Sequence, residues 1–122
     1  MLDDGRALLV NNHSTSNHNQ WGGDDWGPDP DFDRQEICNL LTDCMVMYLD
    51  EYHVDGIRFD ATTTIPRHAL KKIIGALKQH TQGTGHYLIA EHLTDDPFAY
   101  VVGDINFDAG WYKAACDEGL MI

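Results

Sequence analysis

Apolar positions at three- and four-residue spacing mark two helices in this chain. Ile37, Leu40, Leu41, Cys44, Met45 and Tyr48 form the first stripe. Its start is Asp33-Arg34-Gln35-Glu36, with Asp33 as N-cap and Glu36 placed to close a capping box. It ends near residues 51–53. The second stripe is Ala69, Leu70, Ile73, Ile74 and Leu77, with Pro66 in the first turn and Lys71, Lys72 and Lys78 off the apolar face. Gly83 and Gly85 close that segment. Two short apolar runs, 54–60 and 87–91, flank the second helix and predict strands. A further strand is expected within 101–107, and a last helix over 110–120. Ahead of all this, 6–10 predicts a short strand. Residues 11–33, rich in Asn, His, Gly, Asp and Pro, predict a long loop in which Trp21 and Trp26 pack onto something.

Strand, helix, strand in this order is the grammar of an α/β fold with a parallel sheet. Side chains alternate along a strand. In Val54-Asp55-Gly56-Ile57-Arg58-Phe59-Asp60-Ala61, therefore, Ile57 and Phe59 point one way and Arg58 and Asp60 the other. In Tyr87-Leu88-Ile89-Ala90-Glu91-His92, Glu91 shares a face with Ile89 and Tyr87. Parallel neighbours bring Asp60 and Glu91 to the same edge of one sheet. Two carboxylates at strand ends, with an arginine two residues before one of them, are the parts that break a glycosidic bond. The plainer alternative is a structural Arg58–Asp60 ion pair beside a solvated Glu91.

The 122 residues suffice for one ordinary domain, and a 43% hydrophobic fraction suits a packed core. A formal net charge of -12 repels phosphate backbones and anionic lipid, which argues against nucleic-acid and membrane partners. A neutral substrate feels no such repulsion. Cys38, Cys44 and Cys116 are odd in number and lack metal-ligand spacing, so free thiols in a reducing, cytoplasmic setting are expected, with Cys44 as a small core residue. The start shows no signal-peptide pattern. The acidic run Asp24, Asp25, Asp29, Asp31 and Asp33 lacks the spacing of an EF-hand loop and reads as solvated, and the seven histidines lack zinc spacing. No metal and no cofactor are expected.

Residues 51–61, Glu-Tyr-His-Val-Asp-Gly-Ile-Arg-Phe-Asp-Ala, resemble a signature of the α-amylase superfamily, the family 13 glycoside hydrolases and transglycosylases. Ile89-Ala90-Glu91 is similar to that family's next catalytic segment. Residues 40–52 look like the helix before the first strand, as in glycogen-branching enzymes and trehalose-releasing hydrolases. Phe107-Asp108-Ala109-Gly110-Trp111 is similar to a later segment of those enzymes. The resemblance implies that Asp60 is the nucleophile, Glu91 the general acid/base and Arg58 the residue that holds the nucleophile. It also implies an α-1,4-glucan or maltooligosaccharide as substrate. His92 is a candidate for a sugar subsite or for packing, and Trp111 for stacking on a sugar ring near the cleft. Tyr48 and Tyr52 are expected to pack.

The family fold is a (β/α)₈ TIM barrel, which needs about 250 residues. The resemblance therefore implies a partial barrel, roughly strands 3 to 6, with residues 1–33 as an irregular segment and 34–122 as the partial catalytic barrel. No His-Asp pair follows Glu91 to supply the family's third carboxylate, and Leu8 stands where its early segment has an aspartate, leaving Asn12-His13 as a weak echo. The expectation is a retaining, branching-enzyme-like glucan enzyme present as a fragment of a longer gene product or as one piece of a split enzyme, feeble on its own, with the rest of the barrel as a companion chain in the second case. The alternative is a non-catalytic truncated barrel that binds glucan or a partner.

Overall fold

The computed structural model describes residues 9–10, 29–113 and 117. Strand β1 (Leu9–Val10) pairs antiparallel with β2 (Asp29–Pro30). Helix α1 spans Gln35–Asp50. Strand β3 (Gly56–Phe59), a 3-10 turn at Thr62–Thr64, helix α2 (Arg67–His80) and strand β4 (Tyr87–Ala90) follow. A π-helix at Ala99–Asp104 leads to strand β5 (Ala109–Gly110). Strands β3, β4 and β5 lie side by side in that order, all parallel. The β3–α2–β4 crossover is thus the α/β unit that the sequence predicts.

The core lies between this sheet and the two helices. All five residues of the α2 stripe are buried, and Leu70, Ile74 and Leu77 are wholly enclosed. They pack with Phe59, Leu88, Val101 and Phe107. Phe59 and Phe107 meet edge to face, centroids 5.2 Å apart, which is a favoured aromatic geometry. Gly56 sits opposite Tyr87 in the β3–β4 register. A Cβ there would lie 2.6 Å from the Tyr87 carbonyl oxygen, so the glycine of the Asp-Gly pair lets the two strands close.

Several expectations are corrected. The first helix starts at Gln35 with Arg34 in the cap position, extended and without a side-chain cap bond, so Asp33 is not its N-cap and no capping box forms. Asp31 organises the entry instead. Its Oδ1 accepts from the Asp33 amide at 3.3 Å and its Oδ2 from Arg34 Nε at 2.8 Å, an Asx-type turn that competes with helix capping. The buried face of α1 is carried by Ile37, Cys38 and Leu49, with Leu41, Met45 and Val46 partly buried against the core. Leu40, Cys44 and Tyr48, assigned to the stripe, face outward, so Cys44 is no core residue and Tyr48 is not enclosed; Tyr52 is exposed beside it. The buried thiol is Cys38, which burial pushes up in pKa. Cys116 lies outside the described residues.

Residues 101–107 form no strand. The chain winds as a π-helix through Asp104, burying Val101, and then turns at Asn106 with φ +77°. The strand comes later, at β5, where Asp108 fixes it by accepting the Leu88 amide at 2.8 Å. Arg67 and Lys71 on α2 clasp Asp104 at 2.6 and 3.1 Å. Their hydrogen bonds lower its carboxyl to about 2. Helix α2 begins one residue after Pro66, and Gly83 and Gly85 take positive φ in the turn beyond its end. Of the expected last helix, Lys113 and Asp117 are described as helical and ion-paired. The loop readings at 11–28, including Asn12-His13, Trp21 and Trp26, lie outside the described residues. Among the described residues no helix is long and apolar enough to cross a membrane.

Candidate active site

The β3–β4 register aligns Phe59 with Ala90, so the next residues, Asp60 and Glu91, leave the two strands together. The pairing runs one step further, because the Glu91 amide donates to the Phe59 carbonyl at 2.9 Å. Arg58, two residues before Asp60 and on its face, reaches both acids. Its Nη1 lies 3.0 Å from Asp60 Oδ1 and its Nη2 3.0 Å from Glu91 Oε1. One planar guanidinium thus holds two carboxylates, a task its fork of donors suits and a lysine's single point charge does not.

The two acids differ in surroundings. The Asp60 side chain is 78% exposed and that of Glu91 15%. Glu91 has a second donor: the amide of Ala61 reaches its Oε2 at 3.0 Å. Ala61 presents that amide from a left-handed backbone, φ +44°, a conformation that non-glycine residues rarely hold without support from their surroundings. Trp111 completes the group. Its amide donates to the Ala90 carbonyl at 3.0 Å, and its ring lies against Arg58, with Cζ 4.4 Å from the ring centroid. The indole face therefore carries the cation that spans the two acids.

His92 is placed elsewhere. It is buried, with Nδ1 2.9 Å from Thr62 Oγ1 and its ring 4.9 Å from that of Tyr100. Burial pushes the imidazole below the usual histidine range. It borders a cavity of about 170 Å³ shared with Thr63, Thr94 and Tyr100. Of the five candidate residues, the structure gathers Arg58, Asp60, Glu91 and Trp111 into one cluster and sets His92 apart, buried against Thr62 and Tyr100. A second cavity, about 270 Å³ and largely apolar, opens beside β3 along Phe32, Met45, Ile57, Asp60 and Ile65.

Two contributors escaped the sequence reading, Ala61 and Thr62. The signal was the run Ala61-Thr62-Thr63-Thr64 directly after Asp60, since threonine hydroxyls readily bond to nearby backbone. Among the described residues, no three His, Cys, Asp or Glu side chains gather as a metal site. Asp31 is engaged in its turn, and Asp24 and Asp25 lie outside the described residues.

No family model matches the chain. Over 42 residues, 34% of its length, it is 43% identical to the 1,4-alpha-glucan branching enzyme GlgB of Picrophilus torridus, covering 6% of that protein. It is 27% identical, in an alignment of 114 residues that covers 83% of this chain, to the 1,4-alpha-glucan-branching enzyme of Yarrowia lipolytica, covering 14% of it. In fold it is similar to the α-amylase of Geobacillus thermoleovorans solved with acarbose, at a TM-score of 0.62 and 22% identity over 71% of this chain and 19% of that one. The Anoxybacillus α-amylase gives 0.65 and 24%, over 75% of this chain and 20% of that one. The chain spans a fifth or less of the length of each. These neighbours identify the parallel sheet and its helices as a TIM-barrel-derived region. In sequence the chain is similar to branching enzymes, and in fold to α-amylases.

Proposed function

We propose that this chain carries the nucleophile and acid/base of a retaining α-glucan-active enzyme, with a branching-enzyme-like transfer as the reading its sequence relatives favour. The supporting observation is the guanidinium of Arg58 held 3.0 Å from both Asp60 and Glu91 at the ends of adjacent parallel strands. A retaining reaction needs two carboxyl groups only about 5–5.5 Å apart, and a shared guanidinium keeps them close. In the first half, an Asp60 oxygen bonds to the anomeric carbon while the glycosidic C–O bond breaks, and Glu91 gives its proton to the leaving oxygen. In the second, an acceptor hydroxyl attacks that carbon, its proton passes to Glu91, and the Asp60 ester is released. A glucan hydroxyl as acceptor gives transfer and water gives hydrolysis. Arg58 and the Ala61 amide orient the two acids throughout, and Trp111 offers an apolar ring to a sugar face.

In this reading the substrate is an α-1,4-glucan or maltooligosaccharide. The chain supplies roughly strands 3 to 6 of a barrel, mostly from residues 34–122, and the remaining strands come from a companion or from further sequence in a cytoplasmic enzyme. The test is a chimera in which this chain replaces the matched segment of the Yarrowia lipolytica enzyme. Iodine staining reads transfer and reducing sugar reads hydrolysis. Asp60→Asn and Glu91→Gln are each expected to cut activity by about 10³-fold or more, on the scale of losing a group that acts on the reacting atoms. An active chimera indifferent to Asp60→Asn ends the proposal. The exposure of Asp60 to solvent favours a second reading, a non-catalytic glucan-binding piece. Retention on immobilised glycogen with no turnover is its signature.

A further inference from the structure

We infer that Thr62, backed by His92, is the positioning residue for Glu91; this rests on Glu91 being the acid/base proposed above. Glu91 stands one residue beyond the end of β4: its amide still bonds the Phe59 carbonyl, but its own carbonyl lies past the last paired residues. Thr62 fixes it instead. Its amide donates to the Glu91 carbonyl at 3.0 Å and its hydroxyl donates to the same oxygen at 3.1 Å. A carbonyl oxygen has two lone pairs, so both bonds fit.

The hydroxyl has one proton, and that proton lies on the Glu91 carbonyl. The 2.9 Å contact between Thr62 Oγ1 and His92 Nδ1 then needs its proton from the ring. His92 therefore carries a proton at Nδ1, and its burial disfavours a second one at Nε2. The chain from His92 Nδ1–H through Thr62 Oγ1–H to the Glu91 carbonyl is a buried polar run in which each bond polarises the next. Thr62 itself is wholly enclosed. The neighbouring Ala61 amide holds the other end of Glu91, its carboxylate, at 3.0 Å. Two consecutive residues after Asp60 thus grip Glu91 by main chain and side chain, linking the nucleophile's strand to the direction of the acid.

The test uses the 122-residue chain, labelled with ¹⁵N and ¹³C, and needs no turnover. Long-range ¹H–¹⁵N spectra at neutral pH are expected to show His92 protonated at Nδ1 and bare at Nε2. Glu91→Gln gives the reference position of the Ala61 amide without a carboxylate partner. Thr62→Val, similar in shape but without the hydroxyl, is expected to move that amide at least half way to the reference, and Thr62→Ser to restore it. His92 protonated at Nε2, or doubly protonated, in the unsubstituted chain overturns the inference. So does an Ala61 amide that stays put in Thr62→Val. If Thr62→Val fails to fold, the tautomer in the unsubstituted chain decides alone. An active chimera unaffected by Glu91→Gln would remove the catalytic reading and leave these spectra as they are.

Discussion

At the residue scale the candidate site depends on one arginine. Without Arg58, Asp60 and Glu91 would face each other with no cation between them, and the Trp111 ring would lose its partner. The two acids would lose the donor that orients both, and a small misplacement of reacting groups costs about 10²-fold in rate. Arg58→Ala is therefore expected to lower the chimera's activity by at least about 10²-fold. It should also shift the tryptophan emission that depends on Trp111. Lysine at the same position keeps the charge but cannot bridge two acids in one plane, so it should rescue only partly. His92 gives a second prediction, on stability. Burial lowers its folded-state pKa below the unfolded value. The unfolded chain then binds the extra proton first, so the contribution is intact above about pH 6.5 and fades as pH falls through the folded value. Denaturant midpoints taken from pH 7.5 down to 5 should fall, and His92→Gln should flatten that slope. Equal slopes in the two proteins would show that His92 is not the group responsible.

At the element scale, what the sequence could say depended on how many readings each pattern allowed. Helix α2 was legible because its apolar residues form one stripe among lysines. In α1, Ile37, Cys38, Leu40, Leu41, Cys44, Met45, Val46, Met47, Tyr48 and Leu49 supply apolar residues nearly all round, so spacing alone admits more than one face. Packing on α2 and the sheet selects the face with Cys38 and Leu49. This is testable by contrast. Leu49→Ala empties an enclosed site and should cost about 2–5 kcal/mol. Leu40→Gln, at a position 51% exposed, should stay within about 0.5 kcal/mol. Similar midpoints for the two in urea would undo the assignment. The 101–107 error has a related cause. Ile105 and Phe107 alternate as a strand does, whereas Val101 and Ile105 share helical spacing, and the clasp of Arg67 and Lys71 on Asp104 holds the helical outcome. The strand-end carboxylates were legible because alternation and parallel order fix them by geometry. The grip of Ala61 and Thr62 was not, since it needs a left-handed residue that no local pattern announces.

At the scale of the whole molecule, the chain holds the two acids and little of what would enclose a sugar between them. Among the described residues β3 pairs only with β4, and β5 contributes two residues. Glu91 is held by Ala61, by Thr62 of the 3-10 turn and by Arg58, yet Asp60 stands 78% exposed. That imbalance bears on chemistry. Donors and charges stabilise a transition state strongly only where water is kept out, because bulk solvent weakens every interaction they make. A hydrated Asp60 must also shed its water before it can attack. Barrel strands packed beside β3 would cover the apolar cavity along Phe32, Met45 and Ile57 and would wall in Asp60 at the same time. The purified 122-residue chain is accordingly expected to turn over amylose at well under about 1 s⁻¹, the low end of ordinary enzyme rates. Its Asp60→Asn form should be no slower within error, while the same substitution in the chimera is severe. Reducing-sugar and iodine assays on the four proteins make the comparison. A lone chain working at ordinary rates and silenced by Asp60→Asn would show that the exposed acid needs no further walls.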